Sequence, residues 1–245
     1  MINSFEKIKL AYSYLNDFIV FKKMSKLTNR FELHFKDRCP QLYDRTNNTS
    51  FDAHHIYYPA WAARTLSQIK PKLHVDIASS LHFSTIISAC VPVRFYDYRP
   101  AKILNLFNFT SDYADLTNLF FKDNSIESLS CMHTIEHVGL GRYGDPLDPD
   151  GDIKAIKELK RVLAPGGSLL FVVPVGRPRI EYNAHRVYSY EQIIEIFSDL
   201  ELTEFSLIPD NFEEIGFVNN ADPKIVSSQE MGCGCFWFKK HKLII

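Results

Sequence analysis

The chain has 245 residues, of which 46% are hydrophobic, and its formal net charge at pH 7 is −1. This length and apolar content suit one domain with an appendage better than two full domains. The near-zero charge excludes a strongly basic nucleic-acid-binding surface. No apolar run reaches the roughly 18 residues that a membrane helix needs. We therefore expect neither a nucleic-acid partner nor a membrane span.

The first 50 residues predict a helical appendage. Residues 4–27 place apolar side chains at helical spacing, with basic residues between them and neither Gly nor Pro. A polar run at residues 44–50 marks a loop. We therefore expect one or two helices in an N-terminal cap, residues 1–50, and a main domain over residues 51–245.

An aromatic segment opens the main domain. Residues 54–61 read His-His-Ile-Tyr-Tyr-Pro-Ala-Trp, and Pro59 predicts the start of a helix because proline suits the first helical turn. We interpret most of the segment as core, with exposed members that could cover a bound ligand.

Residues 70–175 predict strands and helices in alternation, joined by short polar tips. Apolar runs that suit strands end at or lead to Asp76, Asp97, Asp115 and Cys131, and another opens at Leu163. Such alternation predicts an α/β fold with a parallel sheet, which binds ligands beyond the carboxyl ends of its strands.

Helix boundaries in this region follow from capping residues. We expect the first core helix at Ser84–Ala89 and another helix that begins at Asp148-Pro149. Gly166-Gly167 would end that second helix. Ser189 and Gln192 predict a capping box for a later helix.

Two late apolar runs, residues 202–208 and 235–239, predict closing strands, the second of them antiparallel to the sheet. The five cysteines are odd in number and scattered, which indicates reduced thiols and a cytoplasmic location. Cys233 and Cys235 are too close in sequence for an ordinary disulfide or zinc pair. We interpret them as the beginning of a buried strand.

One strand-end acid indicates the type of ligand. Asp97 ends the second predicted strand and follows Asp76 by 21 residues. A carboxylate at this place can accept hydrogen bonds from both hydroxyls of a ribose, which predicts a nucleoside-type cofactor. The alternative for Asp97 is a solvated acid in front of the Arg99-Pro100 turn.

Four further segments carry a family resemblance. They are Phe121–Cys131, Glu136–Gly151 with its Gly-Arg-Tyr-Gly-Asp-Pro run, Val173–Arg179 and Asn183–Val187. Over roughly residues 52–240 the chain resembles class I S-adenosylmethionine (SAM) methyltransferases, and most closely a bacterial family of methyltransferase-like proteins. The resemblance implies a Rossmann-like fold with a seven-stranded, mostly parallel sheet in strand order 3-2-1-4-5-7-6. It also implies SAM as cofactor and a sugar or nucleotide sugar of bacterial surface glycans as methyl acceptor.

The first strand–helix turn departs from the methyltransferase pattern because it contains no glycine. Its residues are still small, and its serines could donate hydrogen bonds to the methionine carboxylate of SAM. A degenerate fold that only binds partners in a glycan pathway therefore stays open as the alternative. The resemblance assigns the cofactor to Asp76, Ala78, Ser79, Ser80, Asp97, Tyr98, Asp115, Leu116 and His133.

Asp115 would accept from the adenine amino group, although a loop aspartate can equally form a turn or a cap. Asp76 would either order the loop or meet the amino group of SAM. Both alternatives stay open at this point.

The turn after the fourth strand is where methyl acceptors dock in this superfamily. We expect His137 as general base with Glu136 beside it, or His185 as a second candidate, because histidine titrates near neutrality. The alternative for Glu136-His137 is a pair that only orders the loop. The predicted acceptor-binding residues are Arg142, Tyr143, Arg177, Arg179 and Arg186. For the last three, which form a cluster with His185, a solvated loop is the alternative.

A run of alternating acids follows, formed by Asp145, Asp148, Asp150 and Asp152. It lacks the terminal glutamate of a calcium loop, and acids favour helix N-termini in any case. We therefore predict helix capping and no metal site. A small-molecule acceptor is the expected partner, and a homodimer is an open expectation.

Overall fold

The computed structural model describes residues 3–28 and 30–242. The chain divides into two compact units, Met1–Phe51 and Asp52–Ile245, which are described separately. Among the described residues, no helix combines the length and the apolar character required to cross a membrane.

The N-terminal unit is dominated by one helix, α1 (Ser4–Thr28), of 25 residues, none of which is buried. Two side-chain contacts join α1 to the segment that follows it. Arg45 forms an exposed ion pair with Asp17 at 3.1 Å, and the rings of Phe18 and Phe35 meet edge to face at 5.6 Å. The role of residues 1–50 as a cap remains a prediction. The first two residues of this segment lie outside the described chain.

The second unit contains a seven-stranded sheet. Its strands are β1 (His74–Ile77), β2 (Val93–Asp97), β3 (Phe109–Tyr113), β4 (Ile126–Met132), β5 (Leu163–Val175), β8 (Leu200–Ile208) and β9 (Gly232–Lys240). Their order in the sheet is β3-β2-β1-β4-β5-β9-β8. The first five run parallel, and β9 is antiparallel to both of its neighbours. The short strands β6 (Arg179–Glu181) and β7 (His185–Val187) form a separate hairpin. The predicted fold class, strand order and antiparallel closing strand are confirmed.

Helices cover both faces of the sheet. They are α2 (Ala53–Ile69), α3 (Leu81–Ile87), α4 (Gly151–Val162), α5 (Tyr190–Ile196) and α6 (Phe212–Ile215). Alternate residues of β5 point to opposite faces, so that Leu169 and Phe171 pack with α4 and α5 whereas Leu170 and Val172 pack with α2 and α3. This alternation is the expected consequence of the two-residue period of a strand. The predicted capping box of α5 is also present.

Two helices begin earlier than the sequence predicts. Helix α2 begins at Ala53 and not at Pro59, because the Asp52 side chain accepts from the backbone N–H of His55 at 3.2 Å and caps the helix. Helix α3 begins at Leu81 because Ser80 caps it in the same way. Sequence reasoning gave the proline more weight than these caps.

Both predicted ends of helix α4 are also wrong. The helix begins at Gly151, where the carbonyl of Asp150 accepts from Lys154 N–H, and it ends at Val162. Gly166 and Gly167 lie inside β5, where the pairing with β4 shifts register. Gly166 has a φ of +78°, which suits such an irregularity because glycine tolerates positive φ.

Candidate functional site

A cavity of about 230 Å³ opens at the carboxyl ends of β1, β2 and β4. This is the edge of a parallel sheet at which α/β proteins bind ligands. Eight of the residues predicted for the site line its wall, namely Ala78, Asp97, Tyr98, Asp115, Leu116, His133, His137 and Tyr143. The structure therefore brings together residues from both the predicted cofactor group and the predicted acceptor group.

The glycine-free turn after β1 still has the backbone form that usually requires glycine. Ala78 has a φ of +56°, and its N–H donates to the carbonyl of Tyr96 at 2.7 Å. Ser79 accepts from the N–H of Met132 at 3.0 Å, and Ser80 accepts from the N–H of Phe83 at 3.1 Å. Both serines thus serve the fold, and only Ala78 among these residues reaches the cavity wall.

The left-handed backbone of Ala78 leads to a stability prediction. Alanine in this conformation costs roughly 1–2 kcal/mol relative to glycine, whereas glycine costs about 0.4–1 kcal/mol through the unfolded chain. We expect Ala78→Gly to raise the free energy of unfolding by about 0.5–1 kcal/mol in urea denaturation. Ala63→Gly is the matched control in helix α2 and should lower it by about 1 kcal/mol. Equal losses in both variants would contradict the left-handed assignment.

Asp97 and Asp115 both lie on the cavity wall. Asp97 is the last residue of β2, and Asp115 follows the end of the neighbouring strand β3. Both are half-buried. Asp97 accepts from the N–H of Arg99 at 2.7 Å through one of its two oxygens. Asp115 accepts from both the N–H and the hydroxyl of Thr117. Asp115 therefore forms a turn, as in the alternative interpretation, and it also lines the cavity wall.

Asp76 lies below the cavity and is completely buried. Burial raises its pKa to about 6, although hydroxyl donors oppose the shift. Ser84 and Ser130 donate to its carboxylate, and Ser130 in turn contacts His74 at 2.9 Å. These contacts favour the loop-ordering alternative for Asp76, because it does not line the cavity.

Glu136 is buried directly behind the wall. Its Oε1 accepts from His133 Nδ1 at 2.8 Å and lies 3.8 Å from His137 Nε2. Burial opposes the charge of Glu136, yet the hydrogen bond from His133 and the nearby histidines hold its pKa below its usual value. Its second oxygen has no hydrogen-bond partner within the described chain. An ionised Glu136 therefore orients His133 and faces His137.

His137 is held in a single tautomer by the hairpin. Its Nδ1 lies 2.6 Å from the carbonyl of Ala184 and 3.2 Å from Arg142 Nη1. The shorter contact is to a carbonyl, which can only accept, so we assign the proton to Nδ1. The Nε2 lone pair is then left for proton transfer. Arg142 donates to the same carbonyl at 2.9 Å, so it anchors this contact.

Tyr143 forms an exposed aromatic rim. The guanidinium of Arg99 lies 4.3 Å from its ring centre, and that of Arg142 lies 5.2 Å from it. His137 meets the same ring edge to face at 5.6 Å. The rim thus combines positive charge with an aromatic face, and Arg99 is a member that sequence reasoning did not assign.

None of the four predicted acceptor-binding arginines lines the cavity. Arg142 contacts the rim residue Tyr143, whereas the other three make their contacts elsewhere. Arg186 is 5% exposed, and its donors bind the carbonyls of Val138 and Pro149. Arg179 pairs with Glu181 and with backbone carbonyls, whereas Arg177 is exposed beside a different surface depression. Arg186 thus ties the acceptor-side loop to the rest of the fold. Substrate contacts by these three residues remain predictions.

His185, the second candidate base, also lies off the cavity wall. Its Nε2 is 3.2 Å from Glu181 Oε2, and its ring lies 6.4 Å from that of His137. It is therefore a neighbour of the proposed base rather than part of the wall.

Sequence reasoning missed a group of side chains behind His133. His54 of α2 stacks on His133 with ring centres 5.2 Å apart, and Cys233 of β9 lies 3.2 Å from His133 Nε2. Burial, together with the neighbouring His133, lowers the pKa of His54 to about 4. Cys233 begins a buried strand as predicted, but its distance of 100 residues from His133 gives no local signal of their contact.

The middle of the chain matches a protein family whose function is not known. A family model described as "Caenorhabditis protein of unknown function, DUF268" matches residues 96–212, just under half of the chain. A search of curated proteins finds no match.

Several solved structures resemble the chain. The YcgJ protein of Bacillus subtilis is 14% identical, with 77% of this chain and 100% of that chain covered and a TM-score of 0.52. A phosphoethanolamine N-methyltransferase 2 of Haemonchus contortus, bound to phosphomonomethylethanolamine and S-adenosylhomocysteine, is 16% identical over 78% and 55% of the two chains, with a TM-score of 0.51.

The 1,6-didemethyltoxoflavin-N1-methyltransferase of Burkholderia thailandensis, with bound 1,6-didemethyltoxoflavin and S-adenosylhomocysteine, is 9% identical over 76% and 79% of the two chains, again with a TM-score of 0.51. Identities this low establish the fold alone. The chain therefore has the Rossmann-like α/β fold that these methyltransferases share.

Proposed function

We propose that the protein is a SAM-dependent methyltransferase that acts on a small polar acceptor. One observation carries the proposal. A half-buried carboxylate at the end of β2, Asp97, and a histidine with a fixed tautomer, His137, line the same cavity at the carboxyl edge of the sheet. The first suits a ribose and the second suits proton removal from an acceptor.

The cofactor would lie across the ends of β1 and β2. Asp97 uses one oxygen for Arg99 N–H, so its other oxygen is available to the ribose hydroxyls. Ala78 has no side chain beyond Cβ, which lets its backbone approach the cofactor closely. Leu116, next to Asp115 in the chain, is buried and lines the cavity, and it would pack against the adenine. SAM supplies an electrophilic methyl group there.

His137 would take the proton of a hydroxyl acceptor. In methyl transfer to a hydroxyl, SAM would supply the methyl group, with its carbon–sulfur bond breaking as the carbon–oxygen bond forms, and His137 Nε2 would accept the proton that the hydroxyl loses. Glu136 lies 3.8 Å from that atom and would stabilise the imidazolium that forms. Buried as it is, Glu136 acts on the histidine and does not contact the acceptor. S-adenosylhomocysteine and the methylated acceptor are the products.

The rim suits a polyhydroxylated or anionic acceptor. Tyr143 offers an aromatic face, and Arg99 and Arg142 place guanidinium groups against it. Such groups bind phosphates in bidentate fashion and stack on planar rings. This supports a sugar or nucleotide sugar, with O-methylation as the reaction. A place in bacterial surface-glycan synthesis and a cytoplasmic location belong to the same proposal, and all five cysteines are free thiols.

The alternative function is a binding protein with a vestigial pocket. The turn after β1 favours it, because Ser79 and Ser80 bind backbone amides of the protein itself. A vestigial pocket would bind neither SAM nor its product.

Calorimetry with S-adenosylhomocysteine separates the two functions. We expect one site per chain with a micromolar dissociation constant, which corresponds to a binding free energy of about −8 kcal/mol. Turnover of SAM with a panel of sugars and nucleotide sugars would follow. Absence of binding at millimolar ligand would overturn the enzyme proposal, whereas binding without sugar turnover would overturn only the choice of acceptor.

A further inference from the structure

We propose that His54, His133 and Cys233 form a transition-metal site, with Zn²⁺ as the expected ion. Each residue offers one donor atom, and the three donors lie within 4.8 Å of one another. They come from three separate elements, namely helix α2, the turn after β4 and strand β9. The proposal is independent of the function proposed above and departs from the metal-free expectation of the sequence.

The donor geometry approaches that of a tetrahedral zinc site. Zinc binds imidazole nitrogen at about 2.0–2.1 Å and thiolate sulfur at about 2.3 Å, which places donors about 3.3–3.6 Å apart around a tetrahedron. His133 Nε2 and Cys233 Sγ are already 3.2 Å apart. A nitrogen of His54 lies within 4.8 Å of both other donors. Because the His54 ring stacks on that of His133 at an interplanar angle of 19°, the His54 side chain must rotate for its lone pair to point at a shared ion.

Glu136 supplies the supporting contact that zinc-binding histidines have. It accepts from His133 Nδ1 at 2.8 Å, which leaves Nε2 with its lone pair directed at Cys233. A carboxylate that holds the remote nitrogen of a histidine fixes its tautomer and strengthens it as a ligand. His133 also has a φ of +55°, a backbone conformation that is uncommon for a residue other than glycine.

Three protein donors leave one coordination position open. Structural zinc sites use four protein ligands, whereas sites with three keep a position for water or substrate. His133 also lines the cavity, so an ion bound there would lie directly behind the wall that faces the ligand. It would link α2 to β9 and fix the orientation of His133 in that wall.

The test uses purified protein from which any histidine tag has been removed, because such tags bind metals. After dialysis against a chelator, Zn²⁺ alone and Co²⁺ alone are added. We expect about one zinc per chain by elemental analysis, and a thiolate-to-cobalt charge-transfer band with Co²⁺. Cys233→Ser should abolish the band, His54→Ala should lower zinc affinity at least about 100-fold, and Glu136→Gln should lower it about 10- to 100-fold.

The double variant Cys39→Ser with Cys90→Ser is the control, because both of these thiols are exposed. It should retain zinc and the cobalt band. Zinc that disappears in this control would come from surface thiols, and zinc that persists in both Cys233→Ser and His54→Ala would lie elsewhere. Either result, or no stoichiometric binding by the unsubstituted chain, overturns the proposal. If Cys233→Ser does not fold, the partly exposed His54 still provides the test.

Discussion

Replacing His137 by alanine should lower methyl transfer to a hydroxyl acceptor by about 10²- to 10⁴-fold, the usual cost of losing a general base. The cofactor contacts proposed for Asp97 and Asp115 do not involve this ring, so affinity for S-adenosylhomocysteine should change little. Single-turnover rates and calorimetry on the same preparation measure the two quantities.

The pH profile distinguishes a base from a structural histidine. Burial lowers the pKa of His137, and the nearby Glu136 only partly offsets this. The neutral, proton-accepting form therefore predominates down to pH values below the ordinary 6.5. We expect the rate to rise with pH through that lowered pKa and to be constant at neutral pH, whereas His137→Ala should show no such rise.

Two controls accompany this prediction. His82 lies on α3 away from the cavity wall, and His82→Ala should retain full activity. His185→Ala tests the second candidate, and because His185 lies off the wall its loss should have a smaller effect. If neither His137→Ala nor His185→Ala slows the reaction, no histidine base operates. The acceptor would then be an already nucleophilic nitrogen or carboxylate that needs only positioning.

The sheet could be predicted from the sequence because each of its strands carries its own local signal. The apolar runs that end at Asp76 and Asp97 are β1 and β2, and parallel strands necessarily bring their carboxyl ends to one edge. Asp97, Asp115 and His137 share a cavity for that reason. Their co-location follows from topology and needs no knowledge of side-chain packing.

Side-chain partners could not be predicted in the same way, since they depend on long-range contacts. Three arginines near the end of β5 suggested an anion site, yet Arg186 satisfies the carbonyls of Val138 and Pro149. The contact between His133 and Cys233 joins residues 100 positions apart. In the sequence, the position of Cys233 in a buried strand is enough to account for this residue. His54 joins His133 and Cys233 only because helix α2 packs against the sheet.

Helix boundaries show a further limit of local reasoning. Pro59 resembles a helix start, but it lies within α2 because Asp52 caps the helix about two turns earlier. Proline lacks the N–H that a helix interior uses, and this cost is outweighed by the burial of Tyr58 and Trp61 on the same helix. Tertiary packing overrides the local preference here.

Replacing Asp97 by alanine should weaken S-adenosylhomocysteine binding about 10- to 100-fold without loss of the fold. A hydrogen bond to a charged group is worth about 1.5–3 kcal/mol, and each 1.4 kcal/mol corresponds to about tenfold in affinity. The loss of the turn contact with Arg99 N–H should lower stability only modestly, because the site is half-buried. Calorimetry gives the affinity, and urea denaturation gives the stability.

Asp112→Ala is the matched control for this variant. Asp112 lies on β3 beside Tyr96, one residue before Asp97 on the neighbouring strand, but it is exposed and does not line the cavity. Both variants remove one negative charge from the same edge of the sheet, so a general electrostatic effect would appear in both. A loss of affinity confined to Asp97→Ala therefore identifies a direct contact with the ribose. Equal affinities in Asp97→Ala and the unsubstituted protein would refute the proposed cofactor orientation, even if S-adenosylhomocysteine binds.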